Sequence, residues 1–212
     1  KVELRIEALE HLGDAREAEV ALQAALKADP RNAKLLTRLA RIQMETRPDE
    51  AIERLRAAVA LDPNFDPARR LLATILVRQG GAKEWEEAQK LMQPAGAAKT
   101  NREEDLRWQV ELLMQRGGPE NLRNARQLLE RLTAKPNAMP QDRLNLARIY
   151  EVEERHPSAI GQYQYLVARE SPDPLHVAQY VGYLLRQKRW DEADNWLRQL
   201  EIKDSRSLLA LQ

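Results

Sequence analysis

The chain has 212 residues, long enough for one or two globular domains, and its 43% hydrophobic and 32% charged residues exclude an intrinsically disordered protein. Its 34 basic and 33 acidic residues give a net charge of +1, which argues against a protein that coats a nucleic-acid phosphate backbone. The absence of cysteine excludes disulfides and thiolate metal sites, and the longest apolar stretch, residues 71–77, is too short to insert into a membrane.

The commonest residues of the chain are strong helix formers. Ala, Leu, Glu, Arg, Lys and Gln dominate the sequence, whereas there are only 8 glycines and no sustained alternation of β-branched residues. The sequence therefore contains few segments that favour β-strands. The composition predicts an all-α protein.

One alanine position recurs along the chain, and it defines a repeat. Successive copies are separated by 33, 37, 37, 34 and 34 residues, and each is followed four and seven residues later by an apolar residue. A period of this length is typical of stacked helix–turn–helix units. The recurring alanines, called here the alanine column, are Ala18, Ala51, Ala88, Ala125, Ala159 and Ala193.

The repeats follow one another as a single predicted domain. Their bounds are residues 1–32, 33–65, 66–102, 103–139, 140–173 and 174–207, and residues 208–212 are expected to start a truncated seventh repeat. Pro94 and Gly96 interrupt a predicted helix, so we expect a hinge over residues 93–102. Because the seventh repeat is incomplete, we expect the chain to be a fragment of a larger multi-repeat protein.

The signature residues of these repeats resemble those of the tetratricopeptide repeat, a helix–turn–helix unit of 34 residues. They include Trp85-Glu86-Glu87-Ala88 and Trp190-Asp191-Glu192-Ala193 in second helices, and Leu39-Ala40 and Leu72-Ala73 in first helices. The resemblance implies a right-handed superhelical solenoid whose first helices line a concave groove. It also implies a protein-interaction scaffold, in which Trp85 and Trp190 are packing residues.

No arrangement of residues in the sequence indicates catalysis. His11, His156 and His176 stand apart and form no zinc-binding or nucleophile motif, and a packed histidine in a turn is the interpretation for His156. The acidic clusters lie mostly at expected helix starts, where carboxylates favour the helix dipole. We therefore predict no enzyme, no catalytic residue, no metal site and no cofactor.

Two sets of first-helix side chains are predicted to line the groove and to bind a partner. An extended or helical segment with acidic and apolar ends would suit them. Alternatively, the arginines pair with neighbouring acids and the apolar residues pack against further repeats. The basic set is Lys34, Arg41, Arg70, Thr74, Arg78 and Arg107, and the mainly apolar set is Leu144, Arg148, Val152, Leu175, Ala178 and Arg186.

The function that these observations favour is a scaffold that binds a partner protein or peptide in the groove. One alternative is a structural spacer whose groove takes no ligand. A less favoured one is an RNA-binding helical repeat, because the net charge is near zero and Glu104 and Glu111 interrupt the basic set. The identity of the partner, the oligomeric state and the compartment, cytoplasmic or periplasmic, are not indicated.

Overall fold

The structure of the chain is a computed structural model that describes residues 2–93, 103–136, 138–168 and 172–209. These residues form twelve α-helices and no β-strand, which confirms the predicted all-α fold. The helices are α1 Val2–His11, α2 Ala15–Ala28, α3 Ala33–Gln43, α4 Pro48–Leu61, α5 Asp66–Gln79, α6 Ala82–Met92, α7 Glu103–Arg116, α8 Pro119–Thr133, α9 Pro140–Val152, α10 His156–Val167, α11 Pro174–Arg186 and α12 Trp190–Leu209.

Local sequence signals explain where several of these helices begin. The side chains of Asp14, Asn32 and Asp173 accept hydrogen bonds from backbone N–H groups in the first turns of α2, α3 and α11, at distances of 2.8–3.1 Å. Such caps satisfy donors that have no partner within the helix. Proline occupies an early position in α9 and α11, where its missing N–H costs nothing.

The chain divides into two compact units, Lys1–Asn121 and Leu122–Gln212, here called unit 1 and unit 2. In unit 1, the first helices α3, α5 and α7 contact one another in succession, and α3 and α5 also pack on the second helices α4 and α6. In unit 2, α9 packs on α10, and α11 packs on α10 and α12. The hinge predicted for residues 93–102 falls outside the described residues except for Gln93, which follows α6.

The alanine column lies at the centre of the helix packing. All six alanines are buried, and each lies within the first turns of a second helix. A larger side chain has no room at such a position, because the interior is packed as densely as an organic crystal. The residue four positions later is also buried in the first, second, fourth and fifth copies, as Leu22, Leu55, Leu129 and Tyr163.

The end of the described chain differs from the expectation of a seventh repeat. Residues 208 and 209, which were expected to start that repeat, continue α12 without a break from Trp190. The physical reason is that no proline or glycine stands between Trp190 and Leu209, and most of the intervening residues are good helix formers. This part of the expectation is corrected.

Two turns between paired helices hold a non-glycine residue in the left-handed region. Glu154 and Lys188 have φ of 55° and 58°. Gly13, with φ of 75°, occupies the same repeat position, because all three residues precede their column alanine by the same number of residues. In this conformation a residue with a side chain is about 1–2 kcal/mol less stable than glycine. Replacing it with glycine recovers only part of that energy, because glycine also increases the conformational entropy of the unfolded chain. We expect Glu154→Gly and Lys188→Gly each to raise the unfolding free energy by about 0.5–1 kcal/mol in urea titrations.

Thr46 provides a matched control for this prediction. It occupies the same repeat position as Glu154, but its φ is not positive. Thr46→Gly should therefore lower the unfolding free energy. An equal change in all three variants would contradict the explanation.

Candidate functional site

The basic set of predicted groove residues lies entirely in unit 1. Lys34 and Arg41, both on α3, are exposed, and neither has an ion-pair or hydrogen-bond partner among the described residues. They are two turns apart on the same side of the helix. These two cations are thus available to an external ligand.

The other arginines of the basic set are already paired within the chain. Arg78 forms two hydrogen bonds with the Glu45 carboxylate (2.7 and 3.0 Å), which lower the pKa of Glu45 and raise the pKa of Arg78. Arg70 Nη2 donates to Asp105 Oδ1 (2.6 Å), and its guanidinium lies 5.7 Å from the centre of the Trp108 ring. This pairing is the alternative that the sequence left open.

The remaining two members of the basic set are also engaged in local bonds. Arg107 Nη2 donates to Glu103 Oε2 (3.1 Å), one helical turn earlier in α7. The Thr74 hydroxyl donates to the backbone oxygen of Arg70 (2.9 Å). Both side chains are partly buried, so the set as a whole offers a partner much less charge than its residue types suggest.

The apolar set lies entirely in unit 2, on α9 and α11. Val152 is 67% exposed and Leu175 is 59% exposed, and Ala178 is exposed as well. Arg148 Nη2 donates to Gln179 Oε1 (3.4 Å), which links the two first helices. We call the exposed residues Arg148, Val152, Leu175, Ala178 and Arg186 the α9–α11 face.

Leu144 corrects the predicted set, because it is only 3% exposed. The register of the sequence placed it on the same side of α9 as Arg148. In the structure, α9 buries six of its residues, so the part of the helix that faces the core is wider than the register suggested. Burying an aliphatic side chain gains about 1.5–3 kcal/mol, which favours the core over the groove.

The α9–α11 face is joined to a buried aromatic cluster that the sequence analysis missed. Arg186 Nη2 donates to Glu151 Oε2 (2.7 Å), and the hydroxyl of buried Tyr163 donates to Glu151 Oε1 (2.5 Å). The Tyr163 ring stacks on those of Tyr180 and Tyr183, with centres 5.4 and 5.3 Å apart. The concentration of tyrosine in the last third of the sequence was the available signal.

Burial and charge change the acidity of this cluster. Removal from water, followed by the hydrogen bond to Glu151, raises the pKa of Tyr163 well above its ordinary value. Burial likewise raises the pKa of Tyr180 and of Tyr183, with smaller contributions from Glu192 and Glu151, respectively. These phenols are therefore neutral throughout the physiological range.

Gly182 lies in the interior of α11, between Ala178 and Arg186 of the α9–α11 face. A Cβ atom placed there would meet only Arg186 Nη1, at 3.5 Å, which is an ordinary contact. Glycine costs about 1 kcal/mol relative to alanine inside a helix, and nothing in the described chain requires it here. The helix backbone is accordingly open to approach at this residue.

Two of the histidines and two of the tryptophans can be compared with their predicted roles. His11 is exposed, His156 Nδ1 lies 3.2 Å from the Tyr183 hydroxyl, and no group of three potential metal ligands occurs in the described chain. Trp85 is partly buried beside Arg116, whereas Trp190 is 60% exposed. Trp190 is therefore not the packing residue that its signature position implied.

Comparison with known proteins identifies the type of these repeats. Paired helices with a buried alanine column define an α-helical repeat protein. Residues 45–107 belong to the tetratricopeptide repeat family, and the chain as a whole has the fold of that family's proteins, as the sequence resemblance implied. No curated protein sequence matches the chain. No helix in the described residues is long and apolar enough to cross a membrane.

Several solved structures share this fold. PilW, a widely conserved type IV pilus biogenesis factor, is 19% identical with a TM-score of 0.72, over 94% of this chain and 90% of PilW. PilF of Pseudomonas aeruginosa is 22% identical with a TM-score of 0.68, over 94% and 88%. MamA is 22% identical with a TM-score of 0.61, over 75% and 90%. At these identities the similarity shows the fold alone.

Proposed function

We propose that the chain is a non-catalytic protein-interaction module and that the α9–α11 face binds a segment of a partner protein. The observation that carries this proposal is the exposure of Val152 and Leu175 on first helices whose other apolar residues are largely buried. Exposed aliphatic side chains on such a face gain free energy when a partner covers them. Arg148, which among the described residues bonds only the neutral Gln179 side chain, flanks them and would orient an acidic segment, whereas Arg186 is paired with Glu151.

In unit 1, we propose a smaller contribution from Lys34 and Arg41. Both cations lack partners in the described chain, whereas Arg70, Arg78 and Arg107 are held by Asp105, Glu45 and Glu103, respectively. An acidic segment that binds unit 1 would therefore contact Lys34 and Arg41. Pairs made by such exposed cations contribute little individually.

Charge and shape variants test the proposal. The full chain serves as bait, with mass spectrometry of the captured proteins, beside the double variant Val152→Asp/Leu175→Asp. Leu12→Asp is the matched control, since Leu12 is an exposed leucine at the end of α1. We expect at least one protein to be captured by the wild type and the control and lost from the double variant, with unchanged helicity. Identical captures from all three would favour the structural spacer.

The helix glycines give a second test that separates binding from folding. Gly161 in α10 also has space for a Cβ atom, because no atom would lie within 4 Å of it. We expect Gly161→Ala and Gly182→Ala each to raise the unfolding free energy by about 1 kcal/mol. Only Gly182→Ala should weaken binding of the captured partner, by about tenfold, because the new methyl group lies on the binding face. Equal affinities for both variants would exclude close approach at Gly182.

A further inference from the structure

Unit 2 contains a pocket of about 410 Å³ whose lining shares no residue with the α9–α11 face. It lies where α9 and α11 begin and α10 ends. Pockets of about 300–1,000 Å³ commonly hold small ligands or single side chains. The apolar part of the wall is formed mainly by Pro140, Pro172, Pro174 and the ring of Tyr165, which is 53% exposed.

Arg143 contributes a cation to this pocket. Its guanidinium carbon lies over the Tyr165 ring, 3.6 Å from the ring centre, in a cation–π contact. Nη1 donates to Gln162 Oε1 (3.1 Å) and Nη2 to the backbone oxygen of Thr133 (3.1 Å). Both acceptors are neutral, and Nε is buried without a partner.

Arg143 therefore has no ion-pair partner in the described part of the chain. No carboxylate there forms an ion pair with it, whereas Arg70, Arg78 and Arg186 each have one. A partly buried cation without an anion is unfavourable, and a carboxylate supplied from outside relieves that cost. The pocket's own acid, Asp173, accepts a hydrogen bond from the Leu175 N–H (2.8 Å) as the cap of α11.

From this geometry we infer a second binding site, specific for a peptide segment in which an acidic residue adjoins an apolar side chain. The apolar side chain packs against the prolines and Tyr165, and the carboxylate lies beside Arg143. The volume accommodates one such side chain with its neighbouring carboxylate. This site is independent of the proposed α9–α11 face.

The probe for this site is 3-phenylpropionate, which carries an aromatic ring and a carboxylate, titrated into the isotope-labelled full chain and followed by NMR. We expect resonances around Tyr165 and His176 to shift, with a Kd of about 1–10 mM. The neutral isostere 3-phenylpropionamide should bind about tenfold more weakly, because it lacks the charge that Arg143 recognises. Equal binding of the two probes, or shifts elsewhere only, would overturn the inference.

Variants locate the probe. Tyr165→Ala should abolish the shifts, while Trp190→Ala, which removes another exposed aromatic ring outside the pocket, should leave them unchanged. Arg143→Gln should remove the difference between the two probes while circular dichroism stays unchanged. If Arg143→Gln fails to fold, the comparison of acid and amide on the wild-type chain still decides, because it requires no variant.

Discussion

Above about pH 10, unit 2 is expected to lose its helical structure while unit 1 keeps it. All five tyrosines lie at position 150 or beyond, and Tyr163, Tyr180 and Tyr183 are buried with raised pKa values. Below the ordinary tyrosine pKa of about 10, both the folded and the unfolded chain hold these protons, so pH has no effect. Above it, the unfolded chain releases them and the folded chain does not, which favours unfolding.

The size of this effect follows from the number of phenols. Each tyrosine that stays neutral in the fold costs about 1.4 kcal/mol per pH unit above its unfolded pKa. For Tyr163 this is about 1.4 kcal/mol at about pH 11, and Tyr180 and Tyr183, whose pKa values are also raised, add to it, against a typical unfolding free energy of about 5–15 kcal/mol. The ion pairs of unit 1 use arginine, and the hydrogen bonds that Arg38 and Arg78 donate to Glu10 and Glu45 raise the pKa of both arginines further. The ion pairs of unit 1 therefore remain formed at this pH.

Circular dichroism and tyrosinate absorbance, recorded together against pH on the full chain, measure this prediction. Helicity should fall in a partial step that coincides with a cooperative rise in tyrosinate. In Tyr163→Phe/Tyr180→Phe/Tyr183→Phe the step should move to higher pH, even though loss of the Glu151 hydrogen bond lowers stability at neutral pH. Tyr165→Phe is the control, because its ring lies outside the cluster. Tyrosinate that forms without loss of helicity would contradict the account.

Leu55→Ala is expected to destabilise the protein by about 2–5 kcal/mol, whereas Leu197→Ala should cost less than about 1 kcal/mol. Both leucines lie four residues after a column alanine, so the sequence treats them as equivalent. Leu55 is fully buried among α4, α5 and their neighbours, but Leu197 is 42% exposed. Truncating Leu55 leaves a cavity, and truncating Leu197 leaves a site that water fills.

Urea titrations of the two variants, followed by circular dichroism, test this difference. Leu129→Ala, which removes a fully buried leucine from the same position in unit 2, should behave like Leu55→Ala. This third variant separates the effect of burial from the effect of the unit. Equal losses for Leu55→Ala and Leu197→Ala would show that Leu197 is covered in solution.

Most of the fold could be predicted from the sequence because its determinants are local and repeat. The alanine column, the caps at Asp14, Asn32 and Asp173, and the helix-forming composition each specify structure within a few residues. Trp190 shows the limit of this reasoning. It occupies a signature position, but the burial of that position depends on contacts with other helices, and the structure leaves the ring mostly exposed.

Much of the candidate site was less predictable, because it depends on partners distant in sequence. The residues of the Glu45–Arg78 and Glu151–Arg186 pairs are 33 and 35 positions apart; the first pair connects the turn after α3 to α5, and the second connects α9 to α11. A periodic pattern gives the face on which a side chain lies but not the acid that it meets. The Arg143–Tyr165 contact is of the same kind, since the two residues lie on different helices and share no motif.

The pairing of Arg78 with Glu45 has a consequence for the ionic strength at which a partner binds. An acidic ligand that replaces Glu45 on Arg78 leaves the number of ion pairs the same before and after binding, so added salt should change that affinity little. A ligand that binds Lys34 or Arg41 creates an ion pair that did not exist before, so added salt should lower the affinity of that ligand. The slope of affinity against salt concentration will therefore tell which cations of α3 and α5 a partner uses.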